Sequence, residues 1–432
     1  VATLLLSGRL MNALKRATIT GSPGLHASFG AAFMVDEDPG TLCRLSAYAA
    51  TSWWLADLNI IVNPTLDTDS TGWTFSQAGT GVASRTTAAA EVDGGTGGAI
   101  SLVGGNSQAV AIQDIEVPAG AWWRTQFRDA GNGSNAAGAL RIFNMNTGKY
   151  LTSGGAWQSG AIAAITGQNG PYAAAGVYQG INFQVESYEA CRSDTVILRH
   201  IFRSSVNQVW FVDNITSFPG VDFCGVFGHT IQPFWTPTLR SSTDAFATVD
   251  TLQATLAPLL EHPSIYAYLG TMQYARHWRV PQLVFGGTAP SGTWSPTAPG
   301  VGDVVLGQAK VLTLYPIAPQ STPWQVTHRM PQVRHDTPGG GSFVSNLGSE
   351  PIRGLKLPFE AVADTEDKEL LLGAWKRSGH GETPLVVVPE NSEAMVLYGR
   401  APGARDARRV WFSPSPRHQQ ELAIEELGFG IR

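Results

Sequence analysis

The chain has 432 residues, 48 of them Gly and 26 Pro, with a formal net charge of −5; 43% are hydrophobic and only 15% charged. That length predicts several domains rather than one core, and a turn-rich, weakly charged composition predicts short strands rather than long helices. Without a basic stripe to displace counterions a nucleic-acid partner is excluded, and no apolar run approaches the roughly 18 residues needed for membrane insertion.

Residues 1–17 read as an N-terminal arm. They carry the apolar triplet Leu4 to Leu6 without a charged segment before it, so no signal peptide is expected. Cys43, Cys191 and Cys224 are widely spaced and odd in number. They fit neither a disulfide framework nor a metal-ligand spacing, and predict buried free thiols in a chain that folds in a reducing cytoplasm.

The first distinctive run is an acidic turn, Val35-Asp36-Glu37-Asp38-Pro39-Gly40-Thr41-Leu42-Cys43, followed by Trp53-Trp54-Leu55-Ala56-Asp57-Leu58. It resembles the opening of discoidin-like, galactose-binding-like sandwiches, with Cys43 where that family usually has Trp. The matching continuation comes only after residue 217. Pro219 to Thr230 resembles the strand that follows Asp-Leu, and Ala275-Arg276-His277-Trp278-Arg279-Val280 resembles a later strand. The resemblance implies a split sandwich over 18–61 and 218–312, because surface loops tolerate insertions.

Between the halves, Asn63-Pro64-Thr65-Leu66 is followed by Gly72-Trp73. Alternating strands follow at Val110–Val117, Trp122–Phe127, Gly138–Phe143, Ile181–Val185 and Thr195–Leu198, with a closing strand over Gln208–Ile215. This order resembles jelly-roll carbohydrate-binding modules and implies an inserted module over 62–217. Sugar rings stack on aromatic faces while hydroxyls need amide partners. Candidates for glycan contact are therefore Trp157, Tyr172, Trp122, Tyr178 and Gln126, within a larger set that includes Trp123, Tyr150, Gln158, Asn182 and Gln184. Trp122 and Trp123 must face opposite sides of their strand, and Trp157 and Tyr172 read as loop residues at the surface. The resemblance also implies a structural calcium, held by Asp213 in the closing strand with Asp67.

No catalytic residues are expected. The sequence lacks a nucleophile elbow, a phosphate-binding loop and a zinc-binding helix. Asp114, Glu116, Asp129 and Glu186 single out no glycosidase pair. Gly94-Gly95-Thr96-Gly97-Gly98 reads as a loop, because no helix follows it.

The last stretch, 313–432, predicts a helix over 364–378, with Asp364 as N-cap, an apolar stripe at Leu370, Leu371, Ala374 and Trp375, and Gly379 as the stop. Strands are expected at Gly354–Glu360, Pro384–Pro389 and Met395–Gly399, and over the alternating Gln420–Leu427. This order resembles the β-sandwich of phage tail-tip and distal-tail proteins.

Together the resemblances imply an all-β, multidomain virion protein of a phage tail tip or baseplate. It would be synthesised in the bacterial host's cytoplasm and assembled as a trimeric or hexameric homo-oligomer ring with other tail proteins. Binding of host cell-surface polysaccharide is its expected secondary role. The alternatives are an accessory carbohydrate-binding or secreted glycan-active protein, and a head-decoration or fibre-anchoring protein.

Overall fold

The computed structural model describes residues 11–77, 79–131, 137–160, 165–167, 179–232, 234–256, 264–285 and 299–309, and the backbone of strands at 3–7, 292–293, 310–312, 325–329, 332–336, 342–346, 352–363, 385–388, 397–400, 408–412 and 415–426. The helix expected over 364–378 lies outside the described residues, as do Tyr172 and Tyr178. The described chain is all-β, with antiparallel sheets and helical segments no longer than single turns such as Ala13–Arg16. No described helix is long and apolar enough to cross a membrane. The chain divides into two compact units, Leu58–Gly220 and a second assembled from Val1–Asp57 and Val221–Arg432.

In the two-segment unit, Thr51–Asp57 alternates between exposed or half-buried and buried positions, with Trp54 and Ala56 inside. It pairs with Thr18–Ser22 on one side and His277–Phe285 on the other, so halves far apart in sequence share one sheet. Arg276 clamps Asp57 through two hydrogen bonds of 2.8 and 2.6 Å. Val221–Phe227 is buried at all seven positions, as expected for a central strand; it lies between Ser264–Gln273 and Val304–Gly307. Burial pushes the Cys43 and Cys224 thiols up to about 12, which makes them inert packing groups. The residues expected as an arm contribute Thr3–Ser7 to an eight-stranded sheet, between Lys310–Leu312 and Leu385–Val388. That sheet also contains Leu397–Arg400, Ser415–Glu426 and Ile352–Ala363.

The uninterrupted unit is a two-sheet sandwich. Its strands are β1 (Thr74–Gln77), β2 (Val82–Thr86), β3 (Ala99–Val103), β4 (Ala109–Pro118), β5 (Trp122–Gly131), β6 (Gly138–Asn144), β7 (Lys149–Leu151), β8 (Trp157–Gln158), β9 (Ile165–Thr166), β10 (Gln179–Gln184), β11 (Thr195–Ser204) and β12 (Val209–Pro219). One sheet has five strands in the order β10-β5-β12-β3-β2. The other has seven, in the order β8-β7-β6-β11-β4-β1, with β9 on β6.

Alternation along β4, β5, β6 and β11 turns every second side chain inward. The inner faces meet through Phe127 of β5 and Phe202 of β11, whose rings stand edge to face at 5.3 Å. Trp73 and Trp210 pack on the same Phe202 at 5.9 and 6.0 Å. The Asn-Pro and Gly-Trp motifs belong to one loop, closed where Trp73 Nε1 donates to the Asn63 carbonyl at 3.3 Å.

The unit ends where its chain ends meet. Ile60 N donates to Ser217 O at 3.0 Å, and Ser217 N to Asn59 Oδ1 at 2.9 Å. Residues 58–61, expected with the split sandwich, are thereby tied to the closing strand of the insert.

Candidate functional site

The outer face of the five-stranded sheet carries two of the expected contact residues. On β5, Trp122 is 38% exposed and its neighbour Trp123 only 2%, as strand alternation requires. Trp123 Nε1 donates inward to Ser217 Oγ at 2.7 Å. Trp122, Arg124 and Gln126 follow one another on the outer side, opposite Gln184, Asn182 and Gly180 of β10. An aromatic plane, a guanidinium and three amides therefore share one surface.

Trp157 is a correction. It was expected in a loop, but it sits on the two-residue strand β8 opposite the buried Leu151. Its indole packs edge-on against Phe183 at 6.0 Å, and Nε1 donates to the Gln184 carbonyl at 2.7 Å. The ring thus joins an edge strand of one sheet to an edge strand of the other.

The outer face of the seven-stranded sheet assembles a second surface. Phe143 of β6 and Tyr150 of β7 are a cross-strand pair, half-buried, with ring centroids 4.7 Å apart. Gln158 of β8 lies opposite Tyr150. Arg141 precedes Phe143 on the same face, because Leu140 and Ile142 point inward and are fully buried. On β11, Arg199 holds Asp114 of β4 through two bonds of 2.8 Å, and Arg203 lies opposite Ala139. Tyr150 and Gln158 were legible as aromatic and amide; Arg141 and Arg203 were missed. The period-2 pattern of Gly138–Phe143 could have placed Arg141 beside Phe143.

Three of the four acids that singled out no glycosidase pair, Asp114, Asp129 and Glu186, have a structural partner. Asp114 is held by Arg199. Buried Asp129 accepts from Trp210 Nε1 at 2.8 Å. Glu186 receives Lys149 at 2.6 Å, Asn144 at 3.0 Å and the Thr147 hydroxyl, which ties the β6–β7 turn down.

The residues expected to hold calcium do come together. β12 bulges between its pairings with Gln126 and Arg128 of β5, and Asn214 there takes a left-handed φ of 51°. Asp213 lies at this bulge beside Asp93, and Asp67 is near enough to act on its charge. Burial raises the Asp213 carboxyl to about 7, against the pull of the Asn214 and Asp93 backbone N–H groups, and the Asp93 and Asp67 charges push it further up.

The donor set nevertheless does not fit a cation cage, which corrects the calcium expectation. Both Asp213 oxygens accept backbone N–H groups, from Asn214 at 2.6 Å and Asp93 at 3.2 Å. Asp93 Oδ2 is taken by Arg128 Nε and Asn214 Nδ2, both at 2.9 Å. Asp67 accepts from the Thr65 hydroxyl at 2.8 Å. Arg128 thus supplies positive charge where the resemblance implied a metal. Among the described residues no three His, Cys, Asp or Glu side chains are grouped to hold a metal ion. The glycine-rich segment has a packing role here: a Cβ on Gly97 would stand 2.1 Å from Asp67 Oδ1, and one on Gly98 2.2 Å from the Leu66 carbonyl. Only glycine lets this loop close over the acids.

No protein-family model matches the chain, and no curated protein matches it in sequence. Among solved structures it is similar to the enzymatically active domain of tailspike protein 4 of bacteriophage CBA120, at 15% identity and TM-score 0.27, covering 37% of this chain and 21% of that one. It is also similar to a family 61 carbohydrate-binding module in complex with β-1,4-galactotriose, at 11% identity and TM-score 0.24, covering 37% of this chain and 98% of that one. The tandem family 22 modules of Paenibacillus barcinonensis Xyn10C align at 9% identity and TM-score 0.25, covering 57% of this chain and 96% of that one. Likeness at this level assigns neither ligand nor activity.

Proposed function

We propose that the chain is a non-enzymatic structural subunit of a phage tail tip or baseplate, and that its Leu58–Gly220 sandwich contacts surface glycan through the outer face of the seven-stranded sheet. The observation that carries the glycan reading is the half-exposed Phe143–Tyr150 pair, rings 4.7 Å apart, beside Gln158, Arg141 and the Arg199–Asp114 pair. Aromatic faces accept the C–H faces of sugar rings, and the flanking amide, guanidinium and carboxylate groups are the partners that hydroxyls require. Asp114 serves here as a hydrogen-bond acceptor held by Arg199, which suits binding without turnover. The tail placement rests on the order strand, helix, apolar strand and closing strand read in the sequence of 313–432, which resembles phage tail-tip and distal-tail sandwiches.

The test is a glycan array probed with the full chain. Hits that weaken about tenfold on Tyr150→Ala support this face, since stacking of one ring is worth on the order of 1–2 kcal/mol. A second reading, favoured by the exposed Trp122 beside Gln184, places the contact on the five-stranded sheet; it predicts that Trp122→Ala weakens binding and Tyr150→Ala does not. A blank array would sink both and leave the sandwich as a spacer. For the placement, a map of the virion with this chain in the tail ring supports the reading, and one with it on the head overturns it.

A further inference from the structure

The outer face of the seven-stranded sheet holds two cations that its own acids do not neutralise. Arg141 of β6 lies opposite Ile201 of β11, and Arg203 lies two residues further along β11, opposite Ala139. Both point outward, so the two guanidiniums are diagonal neighbours on adjacent strands, about 7–8 Å apart at their backbones. The other cations nearby are already committed: Arg199 to Asp114, and Lys149 to Glu186.

The sequence keeps acids away from this pair. From Asp129 to Glu186 there is no aspartate or glutamate, so β6, β7, β8, β9 and β10 and every loop between them contribute none. On β4 the outward acids are Asp114, which Arg199 holds, and Glu116, opposite Ile197. Ile197 is six residues from Arg203 along β11, roughly 20 Å. Like charges on neighbouring strands destabilise a sheet, and the guanidiniums feel each other. Burial and then the Arg141 charge lower the Arg203 pKa, while Tyr150 acts on it in the opposite sense. Arg141 Nε is buried and has no hydrogen-bond partner among the described residues.

From this geometry we infer that the face is selective for acidic polysaccharide, with a carboxylate of a uronic-acid residue bridging Arg141 and Arg203 while its ring, or the next one, stacks on Phe143 and Tyr150. The inference rests on the glycan-contact reading above and names the class of sugar. Arg141 and Phe143 are two residues apart on β6, about 7 Å, so one sugar residue can touch both. Guanidinium pairs a planar carboxylate with two parallel hydrogen bonds, which gives geometric preference beyond charge attraction.

The test measures binding of the full chain to polygalacturonate, neutral dextran and dextran sulfate at about 0.15 M salt, with Arg141→Gln, Arg203→Gln and Tyr150→Ala as variants. Polygalacturonate is expected to bind at least about tenfold more tightly than dextran, and each arginine variant to lose about tenfold for polygalacturonate alone. Tyr150→Ala is expected to weaken both polymers. Without polymer, Arg203→Gln is expected to keep or raise the melting temperature, because it removes a like-charge contact.

Equal binding of dextran and polygalacturonate, lost with Tyr150→Ala but unmoved by either arginine variant, overturns the acidic preference and leaves glycan contact standing. Equal binding of dextran sulfate and polygalacturonate overturns carboxylate recognition in favour of general polyanion attraction. Binding of none of the three polymers overturns the acidic preference, and glycan contact then stands or falls on the array.

Discussion

At Asp213, a carboxyl buried beside Asp93 and within reach of the Asp67 charge titrates near 7, far above its ordinary 3.8. Because the folded pKa is raised, its contribution to stability is fully present below about 4 and is lost as pH rises through about 7. His200 has the opposite sign. It is fully buried, its Nε2 lies 3.0 Å from Thr125 Oγ1, and burial lowers its pKa from 6.5 to about 4. Its contribution is present above about 6.5 and is lost as pH falls toward about 4, where the unfolded chain takes the proton first. The two therefore oppose each other across the mildly acidic range. Asp213→Asn should raise the melting temperature at pH 8, by the equivalent of about 1–3 kcal/mol, and give no gain at pH 4. The variant's stability should then fall more steeply than the parent's as pH drops from 6.5 to 4. A pH-independent gain would show that Asp213 is ionised throughout. Calcium or a chelator should leave the parent's melting temperature unchanged; a rise with calcium would restore the metal reading. Thr125 also meets Ser217 Oγ at 2.9 Å, so Thr125→Val strips partners from both His200 and Ser217. It should cost about 1–3 kcal/mol in denaturant unfolding.

Among elements, the inner faces of β5, β11 and β12 depend on one aromatic cluster and on the glycines that make room for it. Phe202 touches Trp73, Phe127 and Trp210. Phe202→Ala should therefore destabilise by about 3–5 kcal/mol, read as a shift in the denaturant midpoint at constant slope. Trp210 lies against Gly138, where an added Cβ would stand 2.3 Å from its ring and 2.7 Å from the Arg203 carbonyl. Gly138→Ala should cost about 1–3 kcal/mol by overpacking, and an unchanged midpoint would mean that β6 can shift outward freely. The strands themselves were legible in the sequence, because alternation bounded by Gly, Asn and Pro is a local signal. Val110–Val117 became Ala109–Pro118, and Trp122–Phe127 became Trp122–Gly131. What was not legible depends on pairing. Trp157 reads as a loop residue until β7 and β8 are laid side by side. Arg141 and Arg203, about 60 residues apart in sequence, are neighbours only because β6 and β11 pair in one register. Arg128, which pairs with Asp93, is found only through the bulge that sets Asp213 beside it.

For the whole molecule, the proposed ring assembly predicts that the full chain is oligomeric in solution. Light scattering should give a mass near three or six times 46.0 kDa; a monomer at roughly micromolar concentration, where a stable interface would be occupied, would count against a ring built by this chain alone. The chain enters and leaves the Leu58–Gly220 sandwich at one place, with Ile60 and Ser217 joined by a backbone hydrogen bond of 3.0 Å and Asn59 gripping the same Ser217. A module whose two ends are stitched together behaves as a cassette. It can be traded for another module without stretching the strands that flank it, because both junctions lie at one point.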